Sequence, residues 1–162
     1  VTDAWVVNAS PIILYSRIER LDLIERLAPA VIVPQTVIEE VKAGLPKDKF
    51  ASDAVAWASR FLRPNVAVPD RVMRWDLGPG ESQVISHCLA GARVALLDDL
   101  LGRHCATSEG IQVIGSLGVV LRARQKGLID EGRSLAYRLR DQGLFVDAEL
   151  LERALSEPGE GA

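Results

Sequence analysis

The chain has 162 residues, 48% hydrophobic and 25% charged, and its 19 basic and 22 acidic side chains give a formal charge of -3. A chain of this length buries about 68–70% of the surface its unfolded form exposes, enough for a full core without disulfides or a structural metal. Disorder, repeat arrays and tandem large domains are therefore disfavoured, the mild acidity argues against a generally adhesive nucleic-acid coat, and no apolar run approaches the roughly 20 residues that span a bilayer.

Short runs rich in Val and Ile alternate with helix-period segments, which predicts a three-layer α/β/α fold around a central, mainly parallel sheet. The first strand is expected over 5–9, followed by Ser10 as N-cap, Pro11 as first helical residue and a helix to Ile18. A helix over 20–27, a strand over 31–33 and a helix capped by Thr36 and ended by Gly44 come next. A turn at Pro46-Lys47, a helix over 52–62 and a short strand over 66–68 lead to Gly78-Pro79-Gly80, which introduces a helix over 81–90. A strand over 93–97 ends in Asp98-Asp99, and then come a helix over 100–109, a strand over 111–114 and a helix opened by Gly115-Ser116. Two short helices over 129–156 should join near Gly143, with Asp147 capping the second. One domain over 1–157 is expected, with 129–157 as a C-terminal helical extension and 158–162 as a frayed tail.

Cys88 and Cys105 are too few and too far apart for a secreted disulfide framework, and the first residues lack the basic region and long apolar stretch of a signal peptide. A cytoplasmic protein with reduced thiols is expected. His87-Cys88 and His104-Cys105 invite a zinc reading, but Cys88 lies in an apolar helical stripe while His87 points away from it, so neighbours would not converge on one ion. Fifteen of the basic residues are Arg, a bias that suits phosphate contacts and equally tracks genomic composition.

Ligands bind in the crevice at the carboxyl ends of the strands of an open parallel sheet. Asn8 falls near the end of the first strand and Asp98-Asp99 directly after the strand that ends at Leu97. Either aspartate would also serve as a helix N-cap or first-turn acid. Glu81 lies amid the stripe of Val84, Ile85, Cys88 and Leu89, where a carboxylate is out of place unless a cation or good hydrogen bonds meet it. Glu40 flanks the apolar side set by Val37, Ile38 and Val41 more closely than Glu39 does. Carboxylates drawn into one crevice repel unless divalent cations sit between them, and oxygen ligands suit Mg²⁺ or Mn²⁺. That combination points to phosphoryl chemistry.

The motifs Val6-Val7-Asn8-Ala9-Ser10-Pro11, Val33-Pro34 with Val37-Ile38-Glu39-Glu40-Val41, Leu77-Gly78-Pro79-Gly80-Glu81-Ser82, Leu96-Leu97-Asp98-Asp99 through Arg103, and Ile114-Gly115-Ser116-Leu117-Gly118 stand in order along the chain. Together they resemble PIN-domain ribonucleases, specifically the VapC-like toxin branch and a subgroup close to it. The resemblance implies a metal-dependent endoribonuclease leaving 5′-phosphate and 3′-hydroxyl ends, with three or four acids around Mg²⁺ or Mn²⁺. By position Glu40, Glu81 and Asp99 match the second, third and fourth family acids, and Asp98 is a neighbour that substitutes or orients. The first acid is replaced by Asn8, which can lend a carbonyl oxygen but neither charge nor base.

Asn8, Glu40, Glu81 and Asp99 are thus the candidate metal ligands, with Ser10 and Asp98 completing the catalytic set. Ser116 matches a small polar position near the acids, and Arg103, Ser116, Arg122 and Arg124 are candidate substrate contacts. The resemblance further implies an RNA substrate, a small antitoxin and a homodimer, with no membrane partner. The competing reading is a catalytically weak or inactive PIN-like module that binds RNA or protein, favoured by Asn8. A phospho-receiver would carry its acids after the first strand, and neither a dinucleotide-binding Gly-rich turn nor a P-loop is present.

Overall fold

Strand β1 (Trp5–Val7) is buried on both faces, as a strand must be when helices cover it above and below. It lies at the centre of the sheet in the computed structural model, which describes residues 4–44, 49–91 and 93–156. Helices α1 (Ala9–Arg17) and α2 (Asp22–Leu27) carry the chain to β2 (Val31–Pro34). Then α3 (Gln35–Lys42) and α4 (Ala51–Ser59) lead to the edge strand β3 (Leu62–Arg63). A short α5 (Asp70–Met73) and α6 (Pro79–Leu89) return it to β4 (Val94–Leu96), on the opposite side of β1. The chain continues through α7 (Leu100–Ser108), β5 (Gln112–Ile114), α8 (Ser116–Gln125), α9 (Gly132–Asp141) and α10 (Ala148–Ser156).

The strand order is β3-β2-β1-β4-β5 and every pairing is parallel, so the expected three-layer α/β/α architecture is present. Growth of the sheet reverses between β1 and β4, and a crevice opens at the carboxyl ends of strands where the order reverses. Val7 is in register with Leu96, and Asn8 donates its N–H to the Leu96 carbonyl at 3.0 Å. Asn8 and Asp98 therefore leave the sheet side by side at this reversal.

The helix expected over 52–62 ends at Ser59, because the Phe61 carbonyl accepts the Val33 N–H at 2.9 Å and Leu62 joins the sheet, and three further differences have local causes. Helix α1 starts at Ala9, with Asn8 and not Ser10 at the N-cap, which makes Pro11 the third helical residue. Proline costs nothing there, because the first N–H groups of a helix have no intrahelical acceptor. Thr36 does not cap α3; the helix begins at Gln35, and Asn65 reaches across to accept the Thr36 N–H at 3.2 Å and donate to its hydroxyl at 2.6 Å. The strand expected over 66–68 is absent, because the Gln83 side chain satisfies both backbone groups of Val66, at 2.9 and 2.8 Å. The pairing partner of β2 is instead Leu62–Arg63.

The C-terminal pair follows expectation: Gly143 turns the chain with φ +118°, and Asp147 Oδ1 accepts the Leu150 N–H at 2.7 Å. Leu135, Leu139 and Leu151 enter the main core, so the extension completes the fold. A smaller cluster of Val72, Ile85, Cys105 and Ala106 sits under α5 and α7. Cys88 and Cys105 are both buried and free. His87 is also buried, its Nε2 paired with the Pro64 carbonyl at 3.1 Å, so it leaves the apolar stripe without reaching solvent. The expected turn at 46–47 and the tail at 158–162 lie outside the described residues. No helix among the described residues is long and apolar enough to cross a membrane.

Candidate functional site

Asp98 is the best-held acid at the reversal point. Ser116, the first residue of α8, donates its backbone N–H to Asp98 Oδ1 at 2.7 Å and its hydroxyl to Oδ2 at 2.6 Å. The exposed Ser10 hydroxyl adds a longer bond of 3.3 Å to Oδ2. A carboxylate bonded by the free N–H of a helix start is stabilised by charge-assisted hydrogen bonds and by the helix dipole. Ser116 is itself fully buried, and Tyr15 fixes it from behind by donating to its carbonyl at 2.7 Å. Burial, with Asp98 next in importance, holds the Tyr15 hydroxyl well above its ordinary titration range, so it remains a donor.

Asp99 does different work. It is the N-cap of α7, with Oδ2 accepting the Gly102 N–H at 2.8 Å. The two neighbours therefore divide the roles that the sequence left open between them: Asp99 caps the helix while Asp98 is oriented by Ser116 and Ser10. Both line one cleft of about 1020 Å³ together with Asn8, Ser10, Glu81 and Arg103. Arg103 lies over Gly115 and reaches the Leu97 carbonyl at 3.4 Å, and a side chain at Gly115 would collide with its guanidinium.

Glu81 enters from the first turn of α6, which explains why it sits in an apolar stripe: its end of the stripe faces the cleft. Glu40 stands behind it and is not a lining residue. Its Oε1 accepts the Gly80 N–H at 2.9 Å, and a β-carbon at residue 80 would lie 2.6 Å from that oxygen. Only glycine permits this approach. Burial, and next the nearby Glu81, push the Glu40 carboxyl above its usual range, while the Gly80 N–H acts in the opposite direction.

Asn8 is 4% exposed, and its Oδ1 has no hydrogen-bond partner among the described residues. A buried carbonyl oxygen without a donor costs about 1–3 kcal/mol and requires an explanation. Among the described residues no three His, Cys, Asp or Glu side chains gather closely enough to hold an ion. The donors that do share the cleft, Asn8 Oδ1 and the carboxylates of Glu81, Asp98 and Asp99, are all hard oxygens. They fit Mg²⁺ or Mn²⁺ in donor chemistry, with the orphaned Asn8 carbonyl adding a neutral ligand to the acids.

Arg122 and Arg124 are not at the site. They lie towards the far end of α8, where Arg124 donates to the Leu155 carbonyl at 3.0 Å and Arg122 Nε is buried without a partner among the described residues. Nearby, Arg138 is engaged with the Ile18 carbonyl, Arg140 with that of Val146, and Arg133 with Glu152. Contacts with the C-terminal helix thus occupy Arg124, which the sequence offered to RNA. Two contributors escaped sequence reasoning. Tyr15 reads as one more apolar helix position, and Gly80 acts through its N–H and through the side chain it lacks.

The chain thus combines a parallel α/β sheet with hard oxygen donors at its reversal point. A PIN-domain family model matches residues 4–160, nearly the whole chain, and the protein belongs to the PIN-domain family. PIN domains are typically nucleases that act on RNA with divalent metals. No curated protein matches the chain.

Proposed function

We propose that this PIN domain is a Mg²⁺- or Mn²⁺-dependent endoribonuclease, the toxin of a VapC-like pair, working as a homodimer in the cytoplasm and restrained by a small antitoxin. The observation that carries the nuclease reading is the Asp98 carboxylate, oriented by Ser116 and Ser10 in the cleft that holds Asn8 and Glu81. The toxin pairing, the dimer and the location rest on resemblance to the VapC-like branch.

Asp98, Glu81 and Asn8 Oδ1 would hold the metal in this reading, while Asp99, a ligand in the expectation from sequence, keeps its role as the cap of α7. A divalent cation supplies charge neutralisation at the phosphoryl oxygens and Lewis-acid activation. Ser116 and Tyr15 keep Asp98 in one orientation. Glu40 anchors the α6 start through Gly80 and so places Glu81, a positioning role instead of the ligand role expected from the sequence. Arg103 is the cation of the cleft and the candidate phosphate contact.

Asn8 favours a second reading, a PIN module that binds RNA or protein without cleaving, since a neutral ligand lowers the charge available to a metal. The two separate in one assay. Mn²⁺-dependent cleavage of single-stranded RNA by the wild-type protein, lost in Glu81→Gln and Asp98→Asn, supports the enzyme. Cleavage unchanged in both variants, or none at any Mn²⁺ concentration, refutes it.

A further inference from the structure

Part of the lining of the cleft is left unused by the reaction chemistry. It is formed by the connection between α9 and α10, and Phe145 at its tip is 104% exposed. A phenyl ring left entirely in water forgoes the burial that normally stabilises such a side chain. Its neighbours behave differently: Leu144 and Val146 are half-buried and pack against the main core. The backbone is tied on both sides. Leu144 N–H bonds the Leu139 carbonyl at 3.0 Å, Arg140 donates to the Val146 carbonyl at 3.0 Å, and Arg17 donates to that of Gln142 at 3.2 Å. The ring is thus held out by an anchored turn. Leu100 and Leu150, both exposed, line the same cleft.

Charge sets what an RNA strand needs in this cleft. Among the described residues the cleft presents Glu81, Asp98 and Asp99 against one cation, Arg103, while Arg124, Arg138 and Arg140 farther along the chain are bonded to backbone carbonyls. A polyanion entering such a cleft gains little from phosphate contacts, so its affinity needs a term that does not depend on cations. Stacking of an unpaired base on an aromatic ring is that term, and it tolerates any sequence because every base has a π-face. We propose that Phe145 is a stacking platform, seating one unpaired base of the RNA strand in the cleft that it lines together with the acids and so placing the neighbouring phosphodiester at Asp98. This rests on the ribonuclease reading above and names the feature that binds its substrate.

The test compares wild type with Phe145→Ala, Phe145→Leu and Phe145→Trp, using a fluorescein-labelled, mixed-sequence 12-nucleotide single-stranded RNA with Ca²⁺ in place of Mn²⁺ to suppress cleavage. Phe145→Ala should weaken binding roughly 5- to 100-fold. Phe145→Leu should not restore it, and Phe145→Trp should match or exceed wild type, with its indole emission quenched by the RNA. The exposed position predicts unchanged thermal midpoints. Equal affinity in wild type, Ala and Leu variants overturns the proposal while leaving the nuclease reading intact. So does a Leu variant equal to wild type with only Ala weakened, which marks a general apolar contact. A wild-type dimer that Phe145→Ala dissociates, with RNA affinity unchanged, assigns the ring to a contact between copies and also overturns it. A wild-type protein that neither binds nor cleaves the RNA removes the reading on which the proposal rests.

Discussion

Ser116 meets Asp98 twice, through its backbone N–H at 2.7 Å and its hydroxyl at 2.6 Å, so the start of α8 and the end of β4 are joined at one carboxylate. The hydroxyl can be removed without removing the N–H. Ser116→Ala should lower Mn²⁺ affinity about 10- to 100-fold, as loss of a hydrogen bond that orients a metal ligand commonly does. Calorimetric titration checks this, and an affinity equal to wild type would show that the N–H alone orients Asp98.

Glu40 gives a pH prediction. Its carboxyl is held above the ordinary 4.5, chiefly by burial and then by Glu81. An acid raised in this way binds more protons folded than unfolded. Stability therefore falls as pH climbs from the ordinary value through the raised one, and the loss persists above it. Glu40→Gln keeps an oxygen for the Gly80 N–H and removes the charge. In metal-free buffer the variant should melt above wild type at pH 7, and the gap should close at pH 4. A gap that widens on acidification would contradict the assignment.

Asn8 invites the converse change. Asn8→Asp adds a buried charge beside Asp98, so the metal-free protein should lose thermal stability. Mn²⁺ should bind on the order of tenfold tighter than in wild type and reverse that loss. Melting curves with and without Mn²⁺ decide the matter, and a variant indifferent to the metal would separate Asn8 from the site.

The thiols should be inert. Burial pushes Cys88 up to about 12, and burial with Glu109 also raises Cys105. Alkylation by iodoacetamide at pH 8 requires the thiolate and access, so native protein should remain unmodified over an hour and react at both cysteines after unfolding. Mass spectrometry reads this directly. Rapid alkylation of native Cys88 would show that α6 opens readily.

Much of the fold was legible because Val- and Ile-rich runs alternate with helical periods, and parallel order follows from that alternation. Elements whose backbone partners are distant side chains were not. Thr36 looked like a cap because Asn65 lies 29 residues away, and 66–68 looked like a strand because Gln83 lies 17 residues beyond Val66. The same limit applied at the site. Glu81 stood out as a charge in an apolar stripe, whereas the division between Asp98 and Asp99 depended on Ser116, 18 residues on from Asp98. Arg124 shows the reverse case, in which local charge suggested a ligand surface and a tertiary contact to the Leu155 carbonyl took it up.

The most direct test of a carboxylate metal centre at the sheet's reversal point is a calorimetric titration of Mn²⁺ into chelator-stripped protein, run beside Asp98→Asn. Saturable binding in wild type, weakened at least about tenfold in the variant, is predicted from the loss of a charged ligand. Equal binding in the two proteins, or none in wild type, would contradict it.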